Sequence, residues 1–473
     1  VALVLLVYGP SLGGGFVYDD EALIEKDPRV REGKLLAAVT EPYWGERHGG
    51  LYRPVTTLSF VLQGRVSRKP LGFRVVNLAL HAGATVLAFA LARRLTESER
   101  AAFLAAAIFA VHPIHVEAVA NVVGRAESLG FLLAGAAWLL AVPAAEEGRP
   151  GGLALAALLA TLGTLAKENA LALVLAAPLE ALLFRRRALL AALPAATALV
   201  LALGARWLVL GTALTPSGAG ISEIMNPLAG SSFAVRAANA PLLLLVYLEH
   251  LAFPIGLAPD YGGATIALEP GLGGRAVLHG LAAAGLLAIP PIFSGRRGAF
   301  ASGLVVLTLL PVLQLVTVGT LVGDRLAYAA SFGFALALAQ LRPPRLAAAL
   351  VLGLAAGIAT ADALAWKDTI GLFRRSLTRV PSSAMIPYVL GQLLANEDPL
   401  PREDAAEARE LLVRAAALAP REAAGPLVHL AILEAKTGDA PAARRHAREA
   451  LALNPREELA KAARDLLEHL PGD

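Results

Sequence analysis

Ten stretches of this chain approach twenty apolar residues in length, and that recurrence restricts it to a bundle of membrane-crossing helices. They cover 75–95, 101–119, 128–142, 153–166, 170–184, 188–210, 276–292, 299–318, 326–341 and 345–364. The opening 1–9 reads as the end of a further span, which brings the expectation to 11. Hydrocarbon offers the backbone no water to bond, so apolar runs of this length must be helical. Composition agrees: 56% of residues are hydrophobic and 17% charged, against about 45–50% and about 25% in soluble domains. A cytosolic globular enzyme is excluded, and the absence of cysteine excludes disulfides and thiolate chemistry.

Orientation follows from Lys and Arg in the short loops. Arg93, Arg94 and Arg100, then Arg185, Arg186 and Arg187, then Arg296 and Arg297, then Arg342 and Arg345 all fall on one side if the segments alternate. That side is expected to be cytoplasmic. The first long loop, 16–74, then lies outside, with 112–127, 167–169, 211–236, 322–325 and everything after 364. The apolar stretch 237–253 would break the alternation if it spanned, so it reads as an interfacial or re-entrant helix. The net charge of +4 is spread over short loops and reads as topology, with no nucleic-acid partner expected.

After Trp366 charged residues become frequent and a polar helical face appears. LTRVPSSA, LALAPREA and LALNPREE recur, with Pro381, Pro420 and Pro455 spaced by 39 and 35 residues. The tetratricopeptide (TPR) period is about 34 residues, with Pro closing the second helix. An insertion around 396–404 accounts for the longer spacing. The chain thus divides into a transmembrane unit, 1–365, and a tail of about two and a half helical repeats, 366–473, all of it α-helical.

Ionisable residues at membrane depth are costly and usually functional. Here they collect on the outer side: Asp19, Asp20 and Glu21; Tyr52 and Arg53; His81; His112, His115 and Glu117; Arg125 and Glu127; Lys167 and Glu168; Arg206; Asp260; Asp324 and Arg325. An outward polar cavity walled by helix ends follows. A first-loop carboxylate facing cations that hold an anionic leaving group suits glycosyl transfer from a lipid-phosphate sugar. The base takes the acceptor's proton and the cations stabilise the departing phosphate. Structural roles compete for the same residues: helix capping for Asp19, Asp20 and His112, snorkelling for Arg125 and Lys167, and a local Asp324–Arg325 ion pair. The His112, His115, Glu117 spacing suggests a metal, but a third ligand is missing nearby and no metal is expected.

FVYDDEALI, LYRPVTTLSF, HPIHVEAVANVVGRAESL, LAKENALAL, FPIGLAPDY, GDRLAYAASFGF and WKDTIGLF occur in this order. Together they resemble the transmembrane and TPR-containing (TMTC) family of protein O-mannosyltransferases over nearly the whole chain. The resemblance implies a GT-C glycosyltransferase fold, with a catalytic carboxylate in the first outer loop and a polyprenyl-phosphate sugar as donor. It implies mannose as the sugar and Ser or Thr of a protein as acceptor; the concave face of helical repeats suits peptide or protein binding, which makes the tail a candidate docking site for that acceptor. The base role falls to Asp20 first and Asp19 second. Arg53, Arg125, Lys167 and Arg325 fall to the donor phosphate or to site architecture, with Tyr52, His112, His115, Glu117, Glu127 and Glu168 in support. The short tail and the Ala- and Arg-rich sequence point to a bacterial relative in the cytoplasmic membrane, with its site and tail outside. A lipid or glycan acceptor is the alternative that keeps the fold. A scaffold that recruits partners through the repeats is the alternative without chemistry.

Overall fold

A computed structural model describes residues 1–45, 50–184, 187–214 and 221–470. Arg185 and Arg186 of the second cationic cluster lie outside the described residues. Among those described the chain is all-helical, with no β-strand. Five helices are long and apolar enough to cross a membrane: Pro70–Thr96, Arg125–Glu147, Leu189–Leu210, Gly274–Val312 and Arg345–Lys367. Glu99–Val111 and Pro113–Ala120 make a sixth if counted together, bent by 49°. The other expected segments form shorter helices, among them Ala2–Tyr8, Pro150–Ala166, Ala176–Leu183 and Tyr328–Gln340.

Local chemistry sets the turns. Pro70 opens its helix at a position where a missing N–H costs nothing. That helix ends at Glu97 in a left-handed conformation, and Ser98 caps the next by accepting from Ala101 N. His112–Pro113 breaks the second helix, because proline excludes a helical conformation from the residue before it.

The longest helix is not a rod. Gly295 has φ 54° and ψ −132°, a backbone that only glycine adopts freely. The Ser302 hydroxyl donates to Leu287 O at 2.8 Å, fifteen residues back. A straight helix would part those groups by about 22 Å. The chain therefore reverses at Gly295 into a tight hairpin, and the two apolar runs expected on either side of Arg296 and Arg297 are separate arms.

The two ends of the bundle differ. At one end Arg297 pairs with Glu97 at 2.5 Å and Arg100 donates to Pro343 O at 2.9 Å. Three of the four arginine-rich turns thus meet. The other end carries the first loop, the 112–125 block, 167–168 and 324–325.

The 237–253 stretch lies in the continuous helix Phe233–Ala252, which has no re-entrant break. Near one end Arg236 Nε donates to Leu315 O; near the other His250 Nδ1 contacts Asp324 Oδ1 at 2.9 Å. Gln314 closes the intervening loop by donating to Thr320 O and Leu321 O. Both anchors lie in the segment between the second arm of the hairpin and Tyr328–Gln340.

After Trp366 come helices Thr369–Arg379, Met385–Ala395, Arg402–Leu418, Ala424–Lys436, Ala440–Ala452 and Glu457–His469. Pro381, Pro420 and Pro455 each follow a helix end within three residues. One hydrophobic core runs unbroken from the bundle into the first of these helices, through Trp366, Leu372, Phe373 and Ile386. Val428, Ala431, Ala447 and Ala463 form a smaller core of their own farther out.

Candidate active site

The 112–125 block folds tightly over the polar end. A Cβ on Gly124 would sit 2.6 Å from Glu117 O and Ala118 O, so only glycine lets the chain close here. This closure brings Val122 N and Val123 N down onto the first loop. Asp20 is fully buried and accepts from Val17 N at 3.1 Å, Val122 N at 3.2 Å and Val123 N at 2.8 Å. Burial pushes its carboxyl up from the ordinary range, and the three N–H bonds and Arg74 offset that only in part. Asp20 works as a clamp between two distant segments.

Asp19 is its opposite. It is partly exposed, and its carboxylate has no hydrogen-bond or ion-pair partner among the described residues. Burial again raises its pKa, with Arg325 and then Arg53 acting against it.

Three of the surrounding cations, Arg53, Lys167 and Arg325, already face a carboxylate. Arg53 grips Glu168 through two bonds of 2.8 and 2.6 Å and lies 4.9 Å over the Tyr43 ring. Burial alone would raise Glu168, but Arg53 outweighs it and holds the carboxyl far below its usual range. Lys167 pairs with Glu127 at 2.6 Å, both buried; burial, then the like charge of Arg53, lowers its pKa. Arg325 bonds Glu117 through both its backbone N–H, at 3.0 Å, and its guanidinium. Asp324 does not pair with Arg325. It accepts from Tyr261 OH at 2.8 Å and contacts His250.

Several expected residues are architectural here. Arg125 donates to Asn77 Oδ1, Gln63 Oε1 and Phe73 O and lies over Phe60 at 4.8 Å and Phe73 at 5.5 Å. Of its two expected roles, donor phosphate or architecture, these bonds serve the second. His112 caps the turn by accepting from Ile114 N on Nδ1, which leaves Nε2–H to donate to Leu251 O at 2.9 Å. Both its nitrogens are engaged. His115 donates from Nε2 to Ser331 Oγ at 2.7 Å, because that hydroxyl gives its own proton to Tyr328 O. His81 bonds Ala110 O and Tyr328 OH. Tyr52 OH donates to Val39 O at 2.7 Å inside the first loop. Asp260 accepts from Ser383 Oγ of the tail at 2.7 Å. Glu21 pairs with Lys26, and Arg206 lies in the last two turns of Ala188–Leu210.

Arg74 is a residue the sequence reading passed over. Fully buried, it donates to Ser11 O, Gly15 O, Ala120 O and Trp366 O, four carbonyls from three segments. Its signal was faint: it stood at the end of the first loop, one turn after Pro70. Beside Glu117 and Asp324, a cavity of about 30 Å³, room for a single water, is closed by Trp366, Arg375 and Arg379.

The family model for dolichyl-phosphate-mannose-protein mannosyltransferases matches residues 56–209. A Caenorhabditis elegans protein O-mannosyl-transferase is 29% identical over 430 residues, which is 84% of this chain and 59% of the worm protein. Mouse TMTC4 is 28% identical over 473 residues, 83% of this chain and 63% of its own. This chain is similar to the TMTC protein O-mannosyltransferases. Human TMTC1 adds a shorter match, 39% identical over 157 residues, 31% of this chain and 18% of the human protein. The chain spans about three fifths of the length of the worm and mouse proteins. No solved structure matches it. Its long apolar helices and its family match agree in making it an integral membrane protein.

Proposed function

We propose that this chain is a membrane glycosyltransferase that moves a sugar, mannose by the analogy of its relatives' names, from a polyprenyl-phosphate donor to Ser or Thr hydroxyls of proteins. The single observation that carries the mechanism is the contrast between the two aspartates. Asp19 is the unengaged, partly exposed carboxylate within electrostatic reach of Arg325 and Arg53, whereas three N–H groups immobilise Asp20. We therefore place the general base at Asp19 and the anchor at Asp20, reversing the order expected from the sequence.

Asp19 takes the proton of the acceptor hydroxyl as its oxygen bonds the anomeric carbon. The bond from that carbon to the phosphate oxygen breaks on the opposite face, so configuration inverts. Polyprenyl phosphate leaves with the electron pair, held by Arg53, Lys167 and Arg325, whose present carboxylate partners must share them. A raised pKa makes Asp19 a stronger base than a free carboxylate. The bundle reads as 11 spans in a bacterial cytoplasmic membrane. The tail reads as TPR repeats outside it that dock the acceptor, their order of helix, helix and closing Pro supporting that reading.

The test is a transfer assay in nanodiscs with polyprenyl-phosphate-mannose and Ser/Thr-rich peptides, with and without EDTA. Transfer that vanishes in Asp19→Asn and persists in part in Asp20→Asn supports the assignment. Full transfer by Asp19→Asn refutes it. Intact donor consumption with no peptide product would turn the acceptor to lipid or glycan.

A further inference from the structure

Tyr18, immediately before Asp19, has φ +56°, a left-handed backbone that bulky side chains avoid. Strain of this kind persists where the surroundings over-determine it, and it clusters at functional sites. Here the surroundings come from the tail. Tyr18 N–H donates to Thr369 Oγ1 at 3.0 Å, across 351 residues of sequence. The Tyr18 ring meets Phe373 edge-on at 5.2 Å, and Phe373 is fully buried. Just before them, Gly15 N donates to Lys367 O at 2.9 Å, and Arg74 bridges Gly15 O and Trp366 O. Residues 366–373 thus grip 15–18 along their length, while Asp20 is pinned from the other side by Val122 and Val123. Asp19 is the one residue between two anchors.

We infer that the first turn of the tail helix Thr369–Arg379 belongs to the active site: Thr369 and Phe373 are positioning residues that hold Tyr18, and through it Asp19, in the geometry that transfer needs. The inference rests on the reading of Asp19 as the base. A loop that needed only to be fastened could carry glycine at position 18 without strain. A strained tyrosine there fixes the direction of the next carboxylate.

The experiment compares Thr369→Val, Thr369→Ser and Phe373→Leu with wild type and Asp19→Asn in the full chain in nanodiscs, reading kcat, donor KM, the pH profile and the thermal midpoint. Thr369→Val keeps the shape but removes the acceptor for Tyr18 N–H. It is expected to lower kcat by about 10- to 100-fold, the scale of a misplaced reacting group. Donor KM should be unchanged and the acidic limb of the pH profile shifted, while Thr369→Ser restores both. Phe373→Leu is expected to reproduce the kcat loss in part, and it stands in if Thr369→Val does not fold. If Asp19→Asn is inactive yet both tail variants keep wild-type kcat, the inference is overturned and the base assignment stands. If Asp19→Asn retains transfer, the base assignment itself fails. A loss of thermal midpoint with kcat and pH profile unmoved, or a loss that Ser does not rescue, would reduce these contacts to stability alone and also overturn the inference.

Discussion

Two adjacent aspartates occupy different worlds because of which amides point at them. Asp20→Asn keeps one acceptor oxygen where three N–H groups converge. It places an amide donor against the rest, so one or more buried N–H groups lose their partner. The expected loss is about 1–3 kcal/mol of stability, seen as a lower thermal midpoint with residual transfer. Asp19 has no such partners to lose, so Asp19→Asn should abolish transfer with an unchanged midpoint. The pH dependence follows from the same side chain. On the proposed assignment Asp19 must be ionised to act as the base, and its pKa is raised, mainly by burial, so transfer should rise with pH, with its acidic limb above the usual carboxylate range of about 4. A limb in that ordinary range would remove the burial argument. Glu168 behaves in the opposite sense: Arg53 keeps it ionised through this window, so the Arg53–Glu168 pair adds no limb of its own.

At the scale of elements, the apolar runs were legible because hydrocarbon demands them, and the hairpin between 276–292 and 299–318 was visible as a pair of arginines between two runs. Its mechanism was not, since a φ of 54° at Gly295 shows only in three dimensions. Gly295→Ala should cost about 1–3 kcal/mol, the usual scale for a residue forced into a sparsely populated backbone region. The measurement is the thermal midpoint in detergent; an unchanged midpoint would mean the turn has another geometry in the membrane. Charge was legible as clusters along the chain but not by partner. The sequence shows Asp324 next to Arg325, yet folding gives Asp324 to Tyr261 and His250, and Arg325 to Glu117. Arg74 was hidden for the same reason. Its four carbonyl partners come from residues 11, 15, 120 and 366, and no local pattern announces such a hub.

On the scale of the whole molecule, the change of composition at Trp366 marks a boundary in sequence that the packing does not respect. The inner tail shares the bundle's core and reaches its outer loops: Arg379 donates to Leu257 O, Ser383 bonds Asp260, and Glu422 accepts from Glu223 N at 2.8 Å. The outer helices Ala440–Ala452 and Glu457–His469 pack on Ala424–Lys436 in a small core of their own. Two truncations should therefore differ in kind. Removing 440–473 takes away a peripheral stack, so transfer to a short peptide should persist while, on the proposed docking role of the tail, transfer to a folded protein acceptor weakens. Removing 369–473 strips Tyr18 of its hydrogen bond and exposes Trp366 and the core beside it. That variant should lose transfer to every acceptor and unfold at lower temperature. The pair of assays, short peptide against folded acceptor, separates docking from catalysis. Equal loss in both truncations would mean that the outer helices, too, are part of the site's foundation, whereas full activity without 369–473 would confine catalysis to the bundle and leave the tail a docking arm.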